Sequence, residues 1–385
     1  MELNPVLEPG EEPRENLWYV ISSPTNEIRP SKRSGHQLTK SGHLVGGATP
    51  DGLVKDSYYK LNLDTQNWDS SSKSAGDTSE AFGMIEHYAG ETVEKKLVVF
   101  NSANDETDQI LKVGDSEWSS LNCVMLPRTS HEACAILPND SLVIFSGGYQ
   151  GQEIDDKTIY SYSLSENKIL KKISEHGVSN RQGHTISYLG NNKVAIFGGM
   201  ANVGEFFNDT WVVNFDTNTV EEIKSSVSPT ARASHSAAGH ENCFYIHGGL
   251  SLDVSLGMPQ PRVLDDIWRF DVVTECWSEI SKLSDVALPT PRLSHSLTVM
   301  KLPVYKNIQK TNTDAKPEDS KPEVKNIVEL DNWRAVTEDN LDQVESVCER
   351  DNSNIVIEKY VDVLAVFGGM DLEGHFYNDL MVLKL

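Results

Sequence analysis

The chain has 385 residues, 38% of them hydrophobic and 24% charged, enough apolar material for a large core in one repeat-built domain or two ordinary ones. Its formal net charge of −23 argues against direct binding to nucleic-acid phosphates or to an anionic membrane surface, since both attract basic patches. No window approaches the roughly eighteen apolar residues of a membrane span, and the N-terminus carries acids and prolines where a signal peptide has its apolar run; Cys123, Cys134, Cys243, Cys276 and Cys348 are odd in number and never spaced C-x-x-C, against a disulfide framework or structural zinc.

In chain order, the first strand-like segment is "NLWYVI", containing Trp18. A recurring unit follows, marked three times over. Its first landmark is Arg-x-x-His: Arg33/His36, Arg128/His131, Arg181/His184, Arg232/His235 and Arg292/His295, with His87 standing alone where Met84 replaces the arginine. Its second is a glycine pair closing an apolar run, at Gly46-Gly47, Gly147-Gly148, Gly198-Gly199, Gly248-Gly249 and Gly368-Gly369. Between the first two pairs lies "KLVVFNSAND", a worn copy in which Asn101 and Asn104 stand in, because asparagine tolerates φ > 0 better than other non-glycine residues. The third landmark is an aspartate, Asp56, Asp156, Asp209, Asp266 or Asp379, leading another strand-like run such as "TWVVNF" or "IWRFDV".

Each unit reads as four short strands rich in β-branched and aromatic residues, with no convincing long helix. A period near 50 residues of this content is the kelch type of blade. The expected fold is therefore all-β: a six-bladed kelch-type β-propeller with four antiparallel strands per blade. The glycine pairs suit the end of the second strand, where the chain turns with φ > 0, and the aromatics suit packing between blades. The chain stops after the third strand of the sixth unit, so Trp18 to Ser22 is expected to complete that blade and close the ring. Residues 1–14 then form an N-terminal tail and 15–385 the propeller.

Two segments break the repeat. His295 and Gly368 are far apart, placing an acidic, largely disordered insertion at 301–360 between the first two strands of blade six, with a short amphipathic helix possible from Leu330 to Cys348. The loop after Gly249, "LSLDVSLGMPQPRVLDD", is longer than its counterparts, and its alternating Leu250, Leu252, Val254, Leu256 and Met258 point to an extended strand or small hairpin with one apolar face. Leu252, Val254, Leu256 and Met258 are the candidate partner-binding residues, since interface cores favour apolar anchors. Strand order puts this loop and the insertion on opposite faces.

A histidine that recurs once per blade is expected to be structural, together with its arginine, as a buried or channel-side hydrogen-bonding group. The aspartates are expected to cap turns through their carboxylates. No H-E-x-x-H, G-x-S-x-G, P-loop or EF-hand pattern occurs, so no catalytic residue, metal or cofactor is expected. Enzymes do exist on kelch-type propellers, among them a copper oxidase and iron-dependent specifier proteins; no Tyr/His copper pattern is found here, and no loop carrying Glu, Asp and His at regular short spacing is expected.

At its ends the chain is more specific than the repeat. "NPVLEPGEEPRENLWYVI", "ALPTPRLSHSLTVMKLPV" with the insertion after it, and "VFGGMDLEGHFYNDLMV" resemble the Rab effectors with kelch motifs, partners of the late-endosomal Rab nine. The resemblance implies a non-enzymatic cytoplasmic protein that binds the GTP-bound Rab, reaches endosome membranes only through a partner, and supports transport from endosomes to the trans-Golgi network. It also implies a link to an endosomal phosphoinositide kinase. The alternative is a kelch scaffold or adaptor for other partners, in substrate recognition or actin association.

Overall fold

The computed structural model describes residues 4–21, 28–54, 58–69, 88–91, 97–101, 108–113, 118–123, 135–137, 139–149, 152–153, 155–201, 204–255, 257–281, 288–307 and 355–385. Among them there is no α-helix, and no helix long and apolar enough to cross a membrane. The described strands form a β-propeller arrangement from six four-stranded antiparallel sheets and three two-stranded hairpins.

In the fourth sheet, which shows the plan most simply, the strands Thr185–Gly190, Lys193–Phe197, Thr210–Asn214 and Thr219–Ile223 pair in chain order. The turn Asn191–Asn192 joins the first two through two left-handed asparagines, the residue type that tolerates φ > 0 best after glycine. The second strand, "KVAIF", is buried on both faces from Val194 to Phe197; an unbroken apolar run is what a strand lying between two neighbouring sheets requires. In the second sheet, Tyr88–Glu91, Leu97–Asn101, Asp108–Val113 and Trp118–Cys123 pair in the same way. Asn101 is there the last residue of a strand, opposite Gln109, rather than a left-handed stand-in for glycine.

The sixth sheet is built from both ends of the chain. Ser296–Asn307 pairs with Ile355–Phe367, that strand with Leu380–Lys384, and the latter with Trp18–Ile21 in the register Trp18 to Leu383 through Ile21 to Leu380. Trp18 is buried with Leu297, Val299, Leu364, Val366, Met381 and Leu383, side chains brought from opposite ends of the sequence. The segment expected as a tail lies against this sheet: Val20 donates its N–H to the Pro5 carbonyl and accepts at its own carbonyl from the Leu7 N–H, and Leu7 is buried. Glu12 accepts from Lys384 at 2.6 Å and Lys359 at 2.7 Å.

The expected insertion of 301–360 begins later than its spacing implied. Lys301–Asn307 and Ile355–Tyr360 continue the two strands as a long ribbon with one bulge, between Val304 and Tyr305. "KLPVYKN" and "IVIEKY" have the β-branched and aromatic content of strands, and Tyr305 anchors the ribbon by donating its backbone N–H to Gly10 and its hydroxyl to the Asp64 carbonyl. The expected helix from Leu330 to Cys348 lies outside the described residues.

Replacing Trp18 by alanine is expected to cost about 3–5 kcal/mol, the range for emptying a buried aromatic site. Chemical denaturation of the full chain measures this directly, and a midpoint equal to wild type would show that the N-terminal strand contributes little.

Candidate functional site

The three landmarks of a repeat, far apart in sequence, meet at one guanidinium. Arg232 donates from Nη1 to the Gly248 carbonyl at 3.0 Å and to Asp266 Oδ1 at 2.6 Å, from Nη2 to Asp266 Oδ2 at 2.7 Å, and from Nε to the Thr230 carbonyl. Arg181 makes the same set with Gly198, Asp209 and Ser179, and Arg292 with Gly368, Asp379 and Thr290. Arg33 reaches Gly46 and Ser31; its aspartate Asp56 lies outside the described residues, as do Arg128, His131 and His87. The planar fork of arginine matches a carboxylate with two parallel bonds, which lysine cannot do.

The expected turn-capping role therefore holds for Asp156, which accepts from the Thr158 N–H and the Tyr160 hydroxyl, and fails for Asp209, Asp266 and Asp379. Those three are counter-charges to buried arginines. Burial opposes the ionisation of Asp266, but hydrogen bonds and charge from Arg232 outweigh it and hold the carboxyl below its ordinary range.

The glycine pairs carry the next contact. Gly46, Gly47, Gly147, Gly198, Gly199, Gly248, Gly249, Gly368 and Gly369 all have positive φ; Gly148 does not and opens the hairpin strand Gly148–Tyr149. The backbone N–H of Gly147, Gly199 and Gly249 donates to the carbonyl of the next repeat's Arg181, Arg232 and Arg292, while Gly369 donates to Arg33 at 2.9 Å, from the last repeat back to the first. A Cβ on Gly248 would lie 2.5 Å from the Arg292 carbonyl oxygen.

Behind the glycines stand the histidines. His36, His184, His235 and His295 are fully buried, as expected. His184, His235 and His36 meet edge-on the phenylalanines Phe145, Phe197 and Phe367 of the preceding repeat. In the fifth repeat that phenylalanine is His247, whose Nδ1 lies 2.8 Å from His295 Nε2. Burial first, then the charge of Arg232, holds His235 at about 3; burial and Arg292 hold His247 at about 3; burial, His247 and Arg292 push His295 well below its ordinary value. All are neutral at physiological pH. Sequence reasoning missed the residue after each histidine: Thr185 Oγ1 lies 2.9 Å from His235 Nε2, and the Ser236 and Ser296 hydroxyls donate to the His295 and His36 carbonyls.

Above this frame lie the second-to-third-strand connections, all at the glycine end of the sheets. The long one is a hairpin, Leu250–Asp253 paired with Gln260–Val263. Its base is fixed by Ser251 Oγ donating to the Ala231 carbonyl at 2.6 Å and by reciprocal backbone bonds between Leu250 and Ala233. Leu252 is 37% exposed, Val254 67% and Met258 70%; Leu256 lies outside the described residues. Leu252, within the first hairpin strand, and Val254 and Met258, beyond it, are thus exposed to solvent. Exposed Leu53 and Leu372 sit on the corresponding loops of the first and sixth sheets.

The sixth-sheet loop also holds a cluster that the sequence search passed over. Asp371 Oδ2 accepts from His375 Nδ1 at 2.9 Å and from the Tyr377 hydroxyl at 3.0 Å, Oδ1 accepts from the His375 N–H at 2.8 Å, and Glu373 Oε2 is 3.9 Å from His375 Nδ1. Burial pushes the Asp371 carboxyl up, but these donors together bring it down to about 2. The D-x-E-x-H spacing was the available signal.

The KLHDC2/KLHL20/DRC7 Kelch-repeats domain matches residues 86–306. A Mus musculus Rab9 effector protein with kelch motifs is 25% identical over 99% of this chain and 97% of its own. The Danio rerio protein of the same name is 30% identical over 56% of this chain and 68% of its own. An F-box/kelch-repeat protein of Arabidopsis thaliana is 31% identical over 49% of this chain and 39% of its own.

Gly204 has φ +78° and open space around it, so Gly204→Ala is expected to cost about 1 kcal/mol from backbone strain alone; Gly248→Ala adds the clash with Arg292 and is expected to cost about 3 kcal/mol. Parallel denaturation curves test the difference. His235 and His247 bind protons less readily folded than unfolded, so their contribution is complete above about pH 6.5 and is lost as the pH falls toward 3, at about 1.4 kcal/mol per unit for each group. Stability measured from pH 7.5 to 5 is expected to fall, and His247→Phe, which installs the residue of the other repeats, is expected to flatten the slope.

Proposed function

Starting from the fact that the chain belongs to the kelch-repeat family, we propose that it is a non-enzymatic protein-binding propeller acting as a Rab GTPase effector. The observation that carries this reading is the hairpin, tied at its base, on which Leu252, Val254 and Met258 are exposed to solvent. Exposed apolar side chains on a preordered loop bury area on binding without a large ordering cost, as interface anchors do. Similarity to the Rab9 effectors with kelch motifs over nearly the whole length supplies the partner class.

The six sheets are read as a single closed ring of blades, with Trp18–Ile21 as the outer strand of the last. The Gly369-to-Arg33 hydrogen bond and the pairing of Trp18–Ile21 with Leu380–Lys384 support that reading. In this proposal the protein works in the cytoplasm, reaches late-endosomal membranes through the GTP-bound Rab, supports transport to the trans-Golgi network, and meets an endosomal phosphoinositide kinase there. A second reading, an adaptor for other partners, is favoured by the likeness to an F-box/kelch-repeat protein; nucleotide dependence separates the two.

The chain is expected to retain a late-endosomal Rab loaded with a GTP analogue and to release the GDP form. Val254→Asp combined with Met258→Glu is expected to abolish retention at unchanged melting temperature, both side chains being solvent-facing. Retention that ignores the nucleotide, or none across a Rab panel, favours the adaptor.

A further inference from the structure

The sixth-sheet loop Met370 to Asn378 has an internal counterpart, Met200 to Asn208 in the fourth sheet. Both are closed by the same backbone pattern. Met200 bridges Phe206 as Met370 bridges Phe376. Ala201 N–H donates to Glu205 at 2.9 Å as Asp371 N–H donates to His375 at 3.1 Å, and Phe207 returns to Gly199 as Tyr377 returns to Gly369. Gly204 and Gly374 share the left-handed conformation, φ +78° and +82°. Yet the fourth-sheet loop carries Ala201, Val203, Glu205 and Phe207 where the sixth carries Asp371, Glu373, His375 and Tyr377. The same closing backbone bonds form without the polar set, so closure of the loop does not account for it.

We propose that Asp371, Glu373 and His375 form a binding site for a divalent first-row transition-metal ion of the zinc and cobalt type. Two carboxylates and one imidazole are a mixed oxygen and nitrogen set of the kind these ions accept. One ligand atom from each lies within 4.8 Å of the others. Bonds of about 2.1 Å place neighbouring ligand atoms about 3 Å apart, close to the 2.9 Å from His375 Nδ1 to Asp371 Oδ2; Glu373, at 3.9 Å and largely exposed, has about 1 Å to close. On binding, His375 Nδ1 gives up its hydrogen bond to Asp371 and offers its lone pair, the ring proton resting on Nε2. Tyr377 donates to Asp371 Oδ2 and stacks under Arg292, whose guanidinium carbon lies 4.8 Å from its ring. It is a positioning residue, holding the carboxylate toward the ion. Three protein ligands leave coordination positions open to water or to a donor from another molecule. The site stands on the same glycine end as the apolar hairpin, but its existence does not depend on a Rab partner.

The test titrates the full chain with Co2+, followed by visible absorption, and then with Zn2+ in competition. One ion per chain is expected at this site. Asp371→Ala, which installs the residue of the fourth-sheet loop, and His375→Ala are each expected to weaken binding by about tenfold or more, with the metal-free melting temperature unchanged. All other histidines and the exposed Cys276 stay in place, so an ion held elsewhere appears equally in wild type and variants. Equal binding by all three proteins, or no binding by wild type at millimolar metal, overturns the proposal.

Discussion

The structure depends on a buried guanidinium. A charge with no solvent costs several kcal/mol unless its donors are all met, and Arg181, Arg232 and Arg292 meet theirs by drawing on every part of one repeat: the approach to the first strand, the glycine carbonyl at the end of the second, and the aspartate before the third. The arginine therefore fixes the relative positions of three strands rather than one. It also explains why the motifs recur together. An arginine without its aspartate is an uncompensated charge, and an aspartate without its arginine is the same fault with opposite sign.

From that anchor the contacts pass to the neighbour. The carbonyl of each of these arginines accepts from the glycine pair of the preceding repeat, and the histidine three residues on meets the aromatic ring just before that pair. Ser234 and Ser294 adopt positive φ, costly outside glycine, and so place their amides in a chain of bonds running Ser234 to Gly183, Ser294 to Ser234 and Gly35 to Ser294. The Gly-or-Ser position of Arg-x-x-His is thus set by backbone geometry, which the sequence shows only as a preference for small residues.

Much of this frame was legible because each landmark recurs: strands, glycine turns and the structural nature of the histidines need only local chemistry and counting. The partnership of Arg292 with Asp379 was not, because it joins residues that a long insertion separates, and a carboxylate beside a turn reads locally as a cap. The ribbon strands Lys301–Asn307 and Ile355–Tyr360 carried a strand signal that was overridden by the interval between landmarks. His247 looked like one more apolar-run residue until its imidazole was seen in the slot held by phenylalanine elsewhere. Asp371, Glu373 and His375 escaped because the D-x-E-x-H spacing occurs on one loop and does not recur with the repeat.

The division between frame and loops has a consequence for function. Contacts between repeats run through the landmarks, the backbone beside them and the apolar faces of neighbouring sheets, so the second-to-third connections bear little of the load that holds the sheets together. They can differ without cost to the sheets, and they do: a two-residue turn after Thr49 in the first sheet, a tight loop at Met200 in the fourth, a hairpin at Leu250 in the fifth, a polar cluster at Asp371 in the sixth. Residues that differ among structurally equivalent loops are free of the frame's constraints, so the fold leaves the chemistry of the hairpin and of the Asp371 cluster open to selection by what these loops meet.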